Sequence, residues 1–194
     1  MIRAGSAADA AQVAAVQREG WFAAYDGIIA REIIDRVTAP DDGARIRQTF
    51  RTRPWQRMIV AVAANPETPE PGEPQATPAA PVVVGYASFG PEVDVLGASW
   101  PHPVSGAGQE GLVAELYALY VRPARWSTGT GRALMDRVIA RTSAAGYRDI
   151  VLWVLEENAR ARRFYERAGY SADGATNVLD RLGGVLEVRY RRAL

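Results

Sequence analysis

The segment "LVAELYALYVRPARWSTGTGRALMDRV" (residues 112–138) decides the fold. It opens with a mostly apolar run typical of a strand, passes through a Pro-led basic turn, and reaches Thr-Gly-Thr-Gly just before apolar residues at helical spacing. The first turn of a helix has unpaired backbone N–H groups and the positive end of a dipole. A glycine-rich turn that leads into a helix therefore favours an anion, most often phosphate.

The residues that follow predict a repeated alternation of helices and strands. A helix over 130–146 has Leu134, Met135 and Val138 on one side and ends at Gly146. The continuously apolar "DIVLWVL" (149–155) is typical of a strand covered on both faces. A second helix, "NARARRFYERAG" (158–169), begins after an Asn cap and ends at a glycine, and "GGVLEVRYRRAL" (183–194) predicts a last strand.

The first part of the chain predicts further strands and helices of the same mixed α/β class. "MIRAG" (1–5) indicates a short edge strand, followed by helices at 6–25 and 31–37 and by strands at 57–64 and 82–90. Between those last two strands lies a loop, residues 65–81, that contains six prolines and no bulky apolar residue. We therefore expect a single domain over 1–194, in which this Pro-rich loop joins two antiparallel neighbours.

Composition excludes several kinds of chemistry. All 23 basic residues are Arg, and a chain without Lys has neither a Walker-type phosphate loop nor a Schiff-base lysine. The absence of Cys excludes disulfides and a cysteine nucleophile. A net charge of +1 predicts no nucleic-acid or membrane partner, and no residue pattern predicts a metal site. The opening residues lack the features of a secretory signal, so we expect a cytoplasmic protein.

A dinucleotide-binding loop is the first alternative for the glycine-rich turn. Gly129 and Gly131 match the first and third positions of that fingerprint, but Leu134 occupies the place of its third glycine. Residues 122–128 also separate the strand from the glycines. Glu156 supplies an acid at the end of the next strand, as the dinucleotide fingerprint requires, so a nucleotide-binding oxidoreductase remains an alternative function.

From Leu112 to Gly169 the chain resembles the GNAT superfamily of N-acetyltransferases. One family signature is an apolar strand, V-x-P, and [Gln/Arg]-x-x-Gly-x-[Gly/Ala] at the start of a helix, which stands here as "LYALYVRPARWSTGTGRAL". The other, N-x-x-A-x-x-F-Y-E, stands here as "NARARRFYERAGY", and the N-terminal "WFAAY" (21–25) is consistent with both. The chain departs from the pattern at Trp126, where the family has Gln or Arg; Arg125 or Arg132 is our candidate to supply the missing side-chain contact.

This resemblance implies a mixed, mostly antiparallel twisted sheet flanked by helices. The sheet would be splayed between the strands at 112–121 and 149–155, where the family admits acetyl-CoA. The amides of residues 127–132 would surround the pyrophosphate, the strand 115–121 would pair with the pantetheine arm, and an N–H near Leu119 would polarise the thioester carbonyl. The cofactor residues implied are Leu119, Tyr120, Val121, Trp126, Ser127, Thr128, Gly129, Thr130, Gly131, Arg132 and Asn158.

Direct transfer to an amine requires that the amine be neutral when it attacks. At pH 7, neutralising a lysine-like amine costs about 4.6 kcal/mol, against about 1 kcal/mol for an α-amine. Glu115 is the candidate base, acting directly or through water, and ideal alternation places it on the face of Tyr117, Leu119 and Val121. Tyr165 matches the family's usual acid for the departing thiolate.

The sequence does not identify the acceptor amine. Trp21 and Tyr25 are candidates to line its pocket, with core packing as their alternative role. The sequence is compatible with small amines, amino-acid derivatives, antibiotics and protein N-termini as acceptors. It is also compatible with acyl groups other than acetyl on CoA. A catalytically silent acyl-CoA-binding module is the competing function, and a homodimer is open because relatives often pair. His102, between prolines, is interpreted as a loop residue, and "RARRFYER" as a solvated helix face.

Overall fold

The computed structural model describes residues 1–63, 81–92 and 113–194. The Pro-rich loop, apart from Pro81, lies outside the described residues, and so do His102 and Leu112. Among the described helices, none combines the length and apolarity that crossing a membrane requires.

The described residues form a seven-stranded sheet. Its strands, in chain order, are β1 (Ile2–Ala4), β2 (Arg57–Ala63), β3 (Val82–Pro91), β4 (Val113–Val121), β5 (Asp149–Leu155), β6 (Ser171–Leu179) and β7 (Val185–Ala193). Their spatial order is β1-β2-β3-β4-β5-β7-β6. Only the β4–β5 pairing is parallel. The predicted mixed, mostly antiparallel sheet is therefore confirmed, with "MIRAG" at its edge and the strands that flank the Pro-rich loop as neighbours.

Within the described residues, five α-helices accompany the sheet. They are α1 (Ala10–Ala24), α2 (Arg31–Val37), α3 (Ala44–Thr52), α4 (Thr130–Ala144) and α5 (Ala159–Arg167). Four of them lie where the sequence predicts helices, but α3 and strand β6 were not predicted. Their apolar signal is sparse, because only Ile46 and Phe50 of α3 pack against the core and β6 is mostly exposed at the sheet edge.

Two hydrophobic clusters cover opposite faces of the sheet. On one face, Leu134, Met135 and Val138 of α4 pack against alternate residues of β5, including Ile150 and Leu152. On the other face, α1 packs Val13 and Val16 onto β2 and β3. We call these the α4/α5 face and the α1 face. Each fully buried aliphatic side chain contributes roughly 1.5–3 kcal/mol to this packing.

A β-bulge interrupts β4 at the residue where the sequence assumed ideal alternation. Ser88 of β3 pairs with Ala118, but the next residue, Phe89, pairs with Leu116, so Tyr117 is the extra residue. The bulge reverses the phase of the strand, and Leu116 and Leu119 both pack on the α4/α5 face. The expectation that Glu115 shares a face with Leu119 and Val121 is therefore wrong, because Glu115 points to the α1 face.

The central strands separate soon after they pair. The parallel pairing joins residues 113–116 of β4 to 149–152 of β5, and the described parts of the two strands diverge beyond it. Arg122 N–H donates to Val84 C=O on β3 at 2.9 Å. Because successive backbone groups point to opposite sides of a strand, those of Leu119 and Val121 point away from β3, into the opening. The predicted splay between these strands is confirmed.

The N-terminal strand is connected to the start of α1 by a partly buried ion pair. Arg3 donates to both carboxylate oxygens of Asp9, at 2.8 and 2.6 Å, and the backbone N–H of Ser6 donates to the same carboxylate at 2.9 Å. These hydrogen bonds, that from Arg3 above all, lower the pKa of Asp9 from 3.8 to about 2. A lowered pKa means that this stabilisation is complete above pH 4 and is lost as the pH falls towards 2.

We predict that Asp9→Asn lowers the free energy of unfolding by about 1–2 kcal/mol at pH 7, because Arg3 loses its charged partner. Urea unfolding at pH 7 and pH 2 measures this difference, which should shrink at pH 2, where the wild-type carboxyl is protonated in part. Asp42→Asn is the matched control, since the Asp42 side chain is 85% exposed and its contact with Arg47 is 3.6 Å. An equal deficit for Asp9→Asn at both pH values would contradict the ionic origin.

Candidate functional site

The opening between β4 and β5 continues into a groove of about 760 Å³. The groove passes through the sheet, since Tyr165 of α5 reaches it from the α4/α5 face and Tyr25 of α1 from the α1 face. It brings together nearly all the residues that the sequence singled out. Those that line it are Trp21, Tyr25, Glu115, Leu119, Tyr120, Val121, Trp126, Ser127, Gly129, Gly131, Arg132, Asn158 and Tyr165.

The glycine-rich turn leaves several backbone amides available at one end of this groove. Gly129 caps α4 in the left-handed conformation (φ 86°), and Ser127 has a φ of 62°. The first bond of the helix runs from Ala133 N–H to Gly129 C=O, so the amides of residues 130–132 precede it. No side chain caps this helix within the described residues. The geometry is that of an anion site.

Two predicted cofactor residues, Thr128 and Thr130, do not line the groove. The Thr128 hydroxyl donates to Arg125 C=O at 2.8 Å and lies 3.1 Å from the Thr130 hydroxyl. Their side chains hold the shape of the turn, and their prediction as cofactor residues now rests on their backbone amides alone.

Trp126 has a well-defined place in the groove wall. Its Nε1 donates to Val121 C=O at 2.8 Å, and the guanidinium carbon of Arg160 lies 4.1 Å from the centre of its ring. Such a cation–π contact orients a guanidinium while leaving its N–H groups available. Arg132, one of the two cations predicted to compensate for Trp126, pairs with Asp136 at 2.8 Å.

The interpretation of "RARRFYER" as a solvated helix face is incomplete. Arg160, Arg163 and Arg167 of this segment line the groove together with Arg125 and Arg132. We call this side of the groove the phosphate end. The contribution of the three arginines of α5 was not predicted, because periodicity alone does not distinguish a helix face that borders a groove from one that faces bulk water.

Asn158 accepts the Ala161 N–H at 3.0 Å through its side chain, as the predicted N-cap of α5. The residue is buried and also lines the groove. One side chain therefore fixes the start of α5 and, with it, the position of Tyr165 two turns later.

Aromatic side chains form the middle of the groove. The hydroxyls of Tyr25 and Tyr120 are 3.1 Å apart, and the rings of Trp21 and Tyr25 meet edge to face at 5.0 Å. Burial raises the pKa of the Tyr165 phenol above its ordinary value, so it remains a proton donor at neutral pH. The Trp21 Nε1 is buried and has no partner among the described residues.

Two carboxylates lie along the groove. Glu115, the predicted base, is only 8% exposed. Glu187 of β7 was not predicted; it is half-buried, and its Oε1 accepts a hydrogen bond from Asn177 at 2.9 Å. Burial raises the pKa of Glu187. No local motif marks Glu187, because only the pairing of β7 with β5 brings it to the groove.

Comparison with known proteins agrees with this geometry. The family model of GNAT acetyltransferases matches residues 45–170. A probable N-acetyltransferase of Mycobacterium tuberculosis is 25% identical over 95% of this chain and 87% of its own length. The mycothiol acetyltransferase of Geodermatophilus obscurus is 38% identical, over 40% of this chain and 25% of its own.

A solved structure shares the fold across the whole chain. The PaiA N-acetyltransferase of Thermoplasma acidophilum, in complex with coenzyme A, superposes with a TM-score of 0.65 at 16% identity, covering 100% of this chain and 98% of its own. The family model spans more than half of the present sequence, and its region includes both motifs and the splayed strands. This chain belongs to the GNAT family of acetyltransferases.

Proposed function

We propose that this protein transfers the acetyl group of acetyl-CoA to a primary amine, by direct attack within a ternary complex. The observation that carries the proposal is the groove through the sheet, with helix-start amides at one end and a buried phenol at its centre. A groove open to both faces allows two substrates to approach one point from opposite sides.

The cofactor would be held mainly by backbone groups. The amides of residues 127–132 would bind the pyrophosphate of CoA, with Arg160 as the side-chain cation beside Trp126. The pantetheine arm would pair with the part of β4 beyond Leu116, where β5 no longer covers the strand edge, as an added strand does. The N–H of Leu119 points into this opening and would donate to the thioester carbonyl oxygen.

The reaction then needs one base and one acid. The neutral amine attacks the thioester carbon, the tetrahedral intermediate expels the CoA thiolate, and Tyr165 gives that sulfur its proton. The attacking nitrogen then gives its extra proton to the Tyr165 phenolate, which leaves a neutral amide and a neutral thiol. Glu115 would take the amine proton through water, since four residues of strand separate it from Leu119 by roughly 13 Å. No covalent enzyme intermediate forms in this scheme.

The experiment that tests the proposal is calorimetric titration with acetyl-CoA, NADH and ATP, followed by thiol release against a panel of amines. We expect selective binding of acetyl-CoA and amine-dependent release of CoA. Binding without release from any amine would support the catalytically silent acyl-CoA module instead. Absence of acetyl-CoA binding would overturn the assignment of the turn at 127–132, and preference for NADH would indicate an oxidoreductase.

We predict that Arg160→Ala raises the KM for acetyl-CoA about tenfold and leaves kcat nearly unchanged, because the lost contact binds the cofactor equally before and during the reaction. Steady-state kinetics measure this split. Arg137→Ala, on an exposed part of α4 away from the groove, is the matched control and should behave as wild type. An unchanged KM for Arg160→Ala would exclude a role in cofactor binding.

We predict that Tyr165→Phe and Glu115→Gln each lower kcat about 100-fold at pH 7 while the acetyl-CoA Kd stays within twofold. The Glu115→Gln deficit should shrink as the pH rises towards the pKa of the acceptor amine, because the neutral amine then needs no base. The Tyr165→Phe deficit should not shrink in that way. Tyr147→Phe, which lies outside the groove lining, is the control. Activity of Tyr165→Phe within twofold of wild type would remove this residue from the chemistry.

A further inference from the structure

Glu187 lies at the height of the proposed reaction centre. Leu152 of β5 pairs with Leu116 of β4, and Leu155, three residues further along β5, pairs with Glu187 of β7. Leu119, whose N–H we assign to the thioester carbonyl, is three residues beyond Leu116 on β4, but Tyr117 is the extra residue of the bulge, so Leu119 lies two paired positions beyond Leu116. Glu187 and Leu119 are therefore within about one residue of the same level (roughly 3 Å), on opposite sides of the opening between β4 and β5.

The Glu187 side chain points to the α1 face, opposite to the cofactor side. Its neighbour Val188 packs into the cluster on the α4/α5 face, and alternation along β7 turns Glu187 the other way. On the α1 face the groove is bordered by an apolar and aromatic wall formed by Trp21, Tyr25, Ile29, Leu155, Leu179 and Leu182. We call this part of the groove the acceptor end.

Glu187 has no salt-bridge partner within the described residues, and the charge of Arg181 acts on its carboxylate only from a distance. Other partly buried acids pair directly with arginines, as Glu92 does with Arg189 and Asp149 with Arg191. Glu187 instead accepts one hydrogen bond, from Asn177. Keeping a half-buried carboxylate without a directly bonded cation is costly, and a cationic ligand relieves that cost.

Building on the proposed function, we propose that Glu187 binds the ammonium group of the acceptor, so that the enzyme selects a primary amine attached to an apolar or aromatic body. The carboxylate would hold the cation at the level of the thioester, and the aromatic wall would cover the body. The bound ammonium loses one proton to the base before the neutral amine attacks. Glu187 would act on acceptor affinity and position, as a specificity-determining residue.

The probe for this proposal is 2-phenylethylamine, assayed by thiol release at saturating acetyl-CoA. We expect Glu187→Gln to raise its KM at least tenfold, because the variant loses a charge-assisted hydrogen bond. The acetyl-CoA Kd should stay within twofold of wild type. Glutamine keeps an oxygen for Asn177, so the β6–β7 contact survives. Glu157→Gln, an exposed acid outside the groove lining, is the matched control and should change neither constant.

Two further measurements separate recognition from a merely structural role. The neutral isostere 2-phenylethanol should compete weakly against 2-phenylethylamine in the wild type, and the amine's advantage should fall in Glu187→Gln. The wild-type KM should also rise as the pH falls through the raised pKa of Glu187, and the variant should lose that dependence. The groups that face Glu187 are Asn177 on β6, Arg181 on the turn after β6, and Tyr25 on α1.

The proposal is overturned if Glu187→Gln keeps the wild-type KM, or if the wild type prefers phenylalanine, or amines without an apolar body, to 2-phenylethylamine. If Glu187→Gln does not fold, Glu187→Asp replaces it, and an unchanged KM at the shortened carboxylate overturns the proposal equally. Failure of acetyl-CoA to bind, or of every amine to release CoA, would instead defeat the proposed function before Glu187 is tested.

Discussion

The parting of β4 from β5 after Leu116 is the constraint on which the rest of the site depends. Inside a sheet, each backbone N–H and C=O is paired, and leaving one unpaired in a dry place costs about 1–3 kcal/mol. Here the backbone groups of Leu119 and Val121 point into an opening, and Trp126 satisfies the Val121 carbonyl. The Leu119 N–H is left facing the groove, which makes it available to a ligand oxygen. A strand edge that its neighbour would normally cover is thereby open to the groove.

The bulge at Tyr117 determines which side chains reach that surface from each face. With the phase of β4 reversed, Tyr120 points to the α1 face and its hydroxyl meets that of Tyr25. Gly20 of α1 lies directly against this ring, since a Cβ there would be 2.8 Å from Tyr120 Cδ1. A glycine is therefore required for α1 to approach β4 this closely. The helix, the bulge and the aromatic wall form one packed unit.

How far the sequence predicts this structure depends on whether the signal is local. The buried strand β5 was predicted because it is continuously apolar, and the helix α4 because its apolar residues recur at helical spacing. The glycine-rich turn was predicted because glycines before a helix indicate a tight turn. The bulge was missed because a single extra residue is defined by its partner strand, β3. Glu187 was missed for a similar reason: it looks like an ordinary alternate residue of β7 until β5 brings it to the groove. Sequence motifs therefore predict the glycine-rich end of the groove better than the end that carries Glu187.

The two ends of the groove differ in charge, and this difference suits two substrates of opposite sign. Five of the six arginines that line the groove border the phosphate end, whereas the acceptor end carries the carboxylate of Glu187 with Arg181 among apolar side chains. A polyanionic cofactor is attracted to the arginine-rich end, and the carboxylate of Glu187 attracts a cationic amine to the other end. Guanidinium groups do not lose their charge near neutral pH, so the phosphate end keeps its sign while only the acceptor end titrates. Protonation of Glu187 would thus weaken amine binding without disturbing the cofactor, which is why acceptor and cofactor affinities should respond differently to pH.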